Sequence, residues 1–213
     1  MPLNERCKTM AMKFDFGTEM SNGFNLFKEN MWPLVLTSLV AALLSAFSCG
    51  IIAGPMTVGL FLIIQRFLKK EEPKPELGDL FRGFPFFLNS FLLVLLFILV
   101  SSLLSFVPVL GQLVSFFLGA FLWWGLMFIA FENLSVGDTI TKLINETKGG
   151  DFFLHLLFAV VAGLISSAGV LVCCVGMFFT MPIAYCMMVC CYEASYGKSS
   201  PAQPLDPSVF LNQ

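Results

Sequence analysis

The chain is predicted to be an all-α polytopic membrane protein: six transmembrane helices in three hairpins, with short amphipathic helices in the interface between them. Three observations carry this. The 213 residues are 57% hydrophobic and 12% charged, with a mean hydropathy of +0.85, whereas a soluble domain carries roughly 25% charge. The stretch from Trp32 to Gln65 holds no charge; it is too long to cross a hydrocarbon core roughly 30 Å thick once, and suits two helices of roughly 17 to 20 residues. The same order of segments returns twice more, at a period of roughly 60 residues.

Residues 1–30 are polar and mixed in charge, with Phe14, Phe16, Met20, Phe24 and Phe27 at loosely helical spacing. This segment is expected to lie along the inner membrane surface. It contains no apolar run of the kind a cleavable signal requires, so insertion is expected to rely on the first span. The six-helix domain is assigned to residues 31–193. Its first helix, Trp32 to Gly50, carries small residues in two rows: Ser38, Ala42, Ala46 and Gly50 in one, Thr37, Ala41, Ser45 and Cys49 in the other. Such a face lets a second helix approach closely. Gly50, Gly54 and Pro55 make the turn, and the second helix, Pro55 to Phe67, closes on Arg66, Lys69 and Lys70.

Pro73 and Pro75 then end the helical pattern. Leu77, Leu80, Phe81 and Phe84 recur at i, i+3, i+4 and i+7, the spacing of a short amphipathic α-helix in the interface. The second hairpin follows, Pro85 to Phe106 and on to Phe131, with its turn at Val107 to Gln112. The next linker repeats the arrangement. Val136, Ile140, Leu143 and Ile144 form one apolar face, Ser135 or Asp138 caps it, and Gly149-Gly150 ends it. Leu77-Gly78-Asp79 and Val136-Gly137-Asp138 occupy matching places. The third hairpin runs from Phe152 to Val170, with a small face at Ala159, Gly163 and Ser167, and from Val175 to Tyr192, with a kink expected at Pro182. Residues 194–213 are expected to be a flexible tail.

All 12 Lys and Arg fall in the N-terminal segment, the two linkers, the adjoining helix ends or the tail, and none in the three short turns. The positive-inside rule then places both termini and both linkers in the cytoplasm. The sequons at Asn133 and Asn145 would face the cytoplasm, out of reach of a lumenal enzyme, and read as accidental.

The composition speaks against several functions. A net charge of −2 offers no footprint for nucleic acid. No acidic or basic residue lies inside a predicted span, which removes the usual proton-coupling groups of transporters. Glu132 and Asp151 sit at span ends as interfacial anchors. His155, the one histidine, follows Asp151 by a turn and reads as an interfacial polar residue, although Asp151 is placed to orient its ring. One histidine leaves no nucleophile–base or metal constellation, so neither enzyme activity nor a cofactor is expected. The seven cysteines lie mostly inside spans. Cys186, Cys190 and Cys191 read as small packing residues, and Cys49 lies near Cys173 and Cys174 at the outer end, where a disulfide is geometrically open. The glycines and prolines of the outer halves, with Ser101, Ser102, Ser105, Gln112 and Ser115, leave room for a second reading, a site for a small lipid or solute. The 25 phenylalanines, many in pairs, exceed what six helices can bury and favour lateral binding.

The order GFNLFKENMWPL from Gly23 to Leu34, then GPMTVG, then a basic helix end and LGDLFRGF, resembles the uncharacterised six-span bacterial integral membrane proteins related to the membrane domain of glycerophosphodiester phosphodiesterases. The resemblance covers roughly Gly23 to Gly197. It implies a compact bundle in the bacterial inner membrane that accompanies other machinery, and it carries over no catalytic residue, since the phosphodiesterase domain is absent. The expected role is that of a non-enzymatic scaffold or accessory subunit among membrane lipids, packed on other membrane subunits or on itself. The alternative is a carrier or binding protein for a lipid or small solute.

Overall fold

A computed structural model of the chain describes residues 16–104, 106–107, 110–147, 152–171 and 176–197. Among these residues the structure is helical, without strands: α1 (Phe16–Glu29), α2 (Met31–Phe47), α3 (Ala53–Leu68), a 3-10 segment (Leu77–Phe86), α4 (Phe87–Leu104), α5 (Leu110–Glu132), α6 (Val136–Glu146), α7 (Phe152–Leu171) and α8 (Met177–Tyr196). Pro33 and Pro55 each stand in a first turn, where an N–H would have no intrahelical partner anyway. The helix α8 continues through Pro182. Cys173, Cys174, Gly149, Gly150, Asp151 and the expected tail beyond Gly197 lie outside the described residues.

The helices close on one another in a cycle. α2 pairs with α3, α4 with α5, and α7 with α8. In addition, α3 carries the 3-10 segment and α4, α5 carries α6 and α7, and α8 carries α1 and α2. Contacts at the helix ends fix the direction: Glu193 of α8 reaches Gln65 and Lys69 of α3, and Tyr192 reaches Glu132 of α5. The C-terminal ends of α3, α5 and α8 therefore meet at one end, which gathers the described ion pairs.

Burial follows the same division. In α3, Met56, Val58, Phe61, Ile63 and Ile64 are almost wholly buried, as are Met127 to Ile129 of α5 and Met188 to Tyr192 of α8. In α4 only Ser90 and Leu93 are buried, while Leu88, Ile98, Leu99 and Leu103 are all more than half exposed. A face this apolar belongs in hydrocarbon rather than water. Three helical stretches are long and apolar enough to cross a membrane: Leu77–Leu104, Val114–Glu132 and Phe178–Tyr196. A fourth is counted if α1 and α2, bent at 90°, form one span. The expected number was six. The difference lies partly in length: α3, of 16 residues, rises only about 24 Å.

The first interfacial segment differs in kind from the α-helix its spacing predicts. It is a 3-10 helix, so residues three apart stack in rows. Leu80, Gly83 and Phe86 form the buried row, whereas Leu77, Phe81 and Phe84 are exposed. The tighter winding is tied to α3. A Cβ on Gly83 would lie 1.9 Å from Pro55 O, and one on Gly59 would lie 2.0 Å from Leu80 O. Two backbones thus touch where a side chain would hold them apart. Phe81, Phe84, Phe87 and Phe91 continue as a ladder of neighbouring rings, the last two stacked at 5.7 Å.

The second interfacial segment is the α-helix its pattern predicts. Ser135 caps α6, its hydroxyl accepting from the Asp138 amide at 3.3 Å. Leu143 is buried, Val136 and Ile140 are half-buried and Ile144 is exposed. Asp79 and Asp138 hold equivalent positions: Asp79 accepts from the Glu76 amide at 3.1 Å, three residues before it, and Asp138 accepts from the Ser135 hydroxyl at 2.7 Å.

The small rows of the spans are placed as follows. Ser38 is buried and donates to Val35 O at 2.9 Å. Ala42 is half-buried, and Ala46 and Gly50 are exposed. Gly50 adopts φ +84° directly after Cys49 at φ +52°, so this glycine shapes the turn. The adjacent row holds the buried Thr37 and Ala41. Ala159 is buried and Gly163 half-buried; both line a lateral groove of about 230 Å³ between α5 and α7, together with Phe116, Gly119 and Trp123. The side chain of Ser167 lies outside the described residues.

Candidate functional site

The densest polar chemistry of the described residues lies at the charged end, beneath α6. Trp124, Phe128 and Glu132 recur every four residues and share one face of α5; Tyr192 and Tyr196 share one face of α8. The Ser135 cap starts α6 just after α5, with Asn133 between them in the left-handed conformation at φ +53°. That reversal lays α6 back across the end of α5, bringing Lys142 and Glu146 over the aromatic face.

Lys142 Nζ donates to both Glu132 oxygens, at 2.6 and 2.5 Å, and the Tyr192 hydroxyl donates to Glu132 Oε1 at 2.7 Å. The same ammonium lies 4.3 Å from the centre of the Phe128 ring and 5.3 Å from that of Tyr196. An ammonium between ring faces and a carboxylate gains both from the ring quadrupoles and from charge-assisted hydrogen bonds. Beside it, His155 Nε2 and Ser195 Oγ are 2.8 Å apart, and Trp124 Nε1 donates to His155 O at 3.4 Å. Trp124 stands 5.0 Å from the His155 ring and 6.0 Å from Tyr196.

These side chains enclose a cavity of about 20 Å³, lined by Phe121, Trp124, Phe128, Leu143, Glu146, His155, Leu156 and Tyr196. It admits one water-sized group. A larger groove of about 220 Å³ opens on the other side of Phe121 and Leu143, lined by Leu93, Leu96, Phe97 and Val100 of α4, Leu118 and Leu122 of α5, and Ile140 and Ile144 of α6.

A second charged cluster fixes the other interfacial segment. Arg66 pairs with Asp79 and with Glu71, the latter at 3.2 Å, and donates to Pro73 O at 3.0 Å. Arg82 pairs with Asp79 at 2.8 Å, and Lys69 with Glu193 at 3.2 Å. Both linkers are thus tied down by ion pairs between a helix end and the amphipathic segment that follows it. Among the described residues no three His, Cys, Asp or Glu side chains gather as a metal site. Cys186, Cys190 and Cys191 are buried free thiols in the α8 core, and Cys49 is exposed.

No family model, curated protein or solved structure matches this chain. What the site does has to be argued from its own residues. Sequence reasoning identified Glu132 and His155 as polar residues at span ends, but it did not foresee Lys142, Glu146, Tyr192 and Tyr196 beside them. The signal was present in the four-residue spacing of Trp124, Phe128 and Glu132, matched by Tyr192 and Tyr196.

Thr139, wholly buried on α6, has no hydrogen-bond partner for its hydroxyl among the described residues. A buried hydroxyl without a partner carries an uncompensated desolvation cost. Thr139→Val, which keeps the shape, is expected to raise stability by about 1 kcal/mol, read as a higher melting temperature in detergent. A fall would show that the hydroxyl has a partner.

Proposed function

We propose that this protein is a non-enzymatic membrane scaffold or accessory subunit, built from three repeated units that each place an amphipathic segment and a hairpin in the bilayer. In this reading α3 and α7 complete six crossings, the short α3 because the bundle, rather than lipid, surrounds it. The charged segment α1 lies in the interface instead of forming half of a span. Both termini face the cytoplasm, as the distribution of Lys and Arg favours. The resemblance noted for Gly23 to Gly197 extends the reading to a bacterial inner membrane.

One observation carries the scaffold role. The described ion pairs are spent internally, holding the linkers against helix ends, while the outward faces of α2 and α4 are apolar and exposed, including Trp32 at 76% and Phe47 at 87%. Recognition would then run through lateral apolar packing, with the clamped linkers as a rigid cytoplasmic surface. Purification of the full chain in mild detergent, followed by native mass spectrometry, tests this. A stoichiometric membrane partner or a defined self-assembly is expected. A protein that remains a monomer with no partner would defeat the scaffold reading.

The alternative is a lipid-binding role, favoured by the apolar groove between α4, α5 and α6. Its sign in the same measurement is retained lipid.

A further inference from the structure

We propose that α6 is a hinged strap: it turns about Asn133, is held down by the Lys142–Glu132 pair, and on release opens the charged end of the groove between α4 and α5. That the groove takes a lipid chain is the lipid-binding reading above; the strap adds how that site is opened and shut.

Hinge and catch lie apart on the same element. Asn133, exposed and left-handed at φ +53°, reverses the chain between α5 and α6. A rotation there moves α6 as a body, since the Ser135 cap holds its first turn together. Further along, Lys142 Nζ reaches both Glu132 oxygens and the Phe128 and Tyr196 rings. Between hinge and catch the seat is shallow. Thr139 and Leu143 are the buried residues of α6, and they rest over Gly125 of α5, where a Cβ would lie 3.4 Å from Thr139 Cγ2 and from Leu143 Cδ1. The seat also works against itself. The Thr139 hydroxyl has no partner among the described residues, so its desolvation is uncompensated while α6 is down and is recovered once water reaches it. A helix with so little buried surface, one described ion pair and an opposing polar cost is of the kind that opens locally while the rest of the fold stays closed.

What the strap covers is the groove of about 220 Å³, one wall of which is Ile140, Leu143 and Ile144 of α6. On α4 its lining runs from Leu93 to Val100, about 10 Å of helix, so the groove leads from beneath α6 along the axis of α4 into the apolar part of the bundle. A single hydrocarbon chain can lie in such a slot, whereas a helix, about 10 Å across with its side chains, cannot. With α6 down the groove is closed at the charged end. With α6 lifted that wall is gone and a chain can enter or leave there.

The test labels full-length Thr139→Cys protein in mild detergent with a water-soluble maleimide and follows each thiol by mass spectrometry. Position 139 is expected to react about tenfold or more faster than Cys186 and Cys190, which are equally buried but sit in α8 and report opening of the whole bundle. Adding Lys142→Met should speed position 139 by about a further tenfold, the effect of losing one partly shielded ion pair, and leave Cys186 and Cys190 as they were. Position 139 as inert as Cys190, a rate that Lys142→Met does not move, or a rise at all three positions together would each overturn the strap. Native mass spectrometry after passage through phosphatidylcholine vesicles separates the two readings. Lys142→Met should lower the lipid retained per chain several-fold, and equal retention in the two proteins would overturn the gating. No lipid in either, with position 139 still reacting as expected, would overturn the lipid-binding reading and leave the strap standing.

Discussion

Gly83→Ala is expected to cost about 3 kcal/mol or more and to detach the 3-10 segment from α3. The cause is steric. Overpacking a closed interior by one methyl typically costs about 1 to 3 kcal/mol when side chains can move aside, but here the obstacle is main chain. The added carbon would lie 1.9 Å from Pro55 O and 2.7 Å from Gly59 N. Neither atom can rotate away, because both belong to the buried backbone of α3. The segment would have to lift off, drawing Leu80 and Phe86 out of the core. Gly59→Ala makes the reciprocal error, its Cβ 2.0 Å from Leu80 O, and should cost a similar amount. Gly163→Ala is the control. Its nearest neighbour is Phe116 Cζ at 3.8 Å, ordinary contact, so it should be close to neutral. Melting temperatures of the three variants in one detergent decide the matter: a Gly83→Ala protein as stable as Gly163→Ala would show that the two backbones do not touch as described.

The contrast between these glycines shows what was legible in the sequence. Helix ends were readable because prolines, caps and charge runs act locally. Ser135 caps α6 as its position before an apolar-periodic run foretells, and Pro73 and Pro75 fall between α3 and the 3-10 segment. Close approach was not readable, since it depends on which backbone comes opposite. Gly59 and Gly83 lie 24 positions apart and meet only through the fold. The 3-10 winding was hidden for the same reason. Leu77, Leu80, Phe81 and Phe84 satisfy an α-helical period on paper, yet the buried row is Leu80, Gly83 and Phe86, because contact between Gly83 and α3 selects a threefold rather than a 3.6-fold repeat. The cluster of rings and charged groups around Glu132 follows the same rule. Its members come from α5, α6, α7 and α8, and only their spacing within each helix is visible beforehand.

The length rule for crossings met a similar limit. Counting apolar residues asks whether a helix can face lipid over its whole length. α3 is wrapped by its neighbours, and its burial, rather than its hydropathy, reflects its place in the bundle. α4 shows the opposite case, long and apolar with most of its surface exposed.

Glu132→Gln should loosen the charged end without unfolding the bundle. Glu132 accepts from Lys142 and Tyr192, and its side chain is 21% exposed against 27% for Lys142. Glutamine keeps the shape and one acceptor oxygen but removes the charge. Lys142 then stands between Phe128 and Tyr196 with no carboxylate to hold it. A partly shielded ammonium deprived of its partner costs about 2 kcal/mol, between the value of an exposed pair and that of a fully buried one. The loss should be local, because α6 packs mainly on α5 and α4, reaches α8 at Tyr196 through Lys142, and buries little beyond Thr139 and Leu143. Amide hydrogen exchange is the suitable measurement. Residues 136–146 should exchange about tenfold or more faster, while the core amides of α3 and α8 remain unchanged. Lys142→Met separates the pair from the general effect of substitution. If the two residues act on each other, the double variant loses less than the sum of the single losses, whereas simple additivity would mean that α6 is held by its apolar face alone.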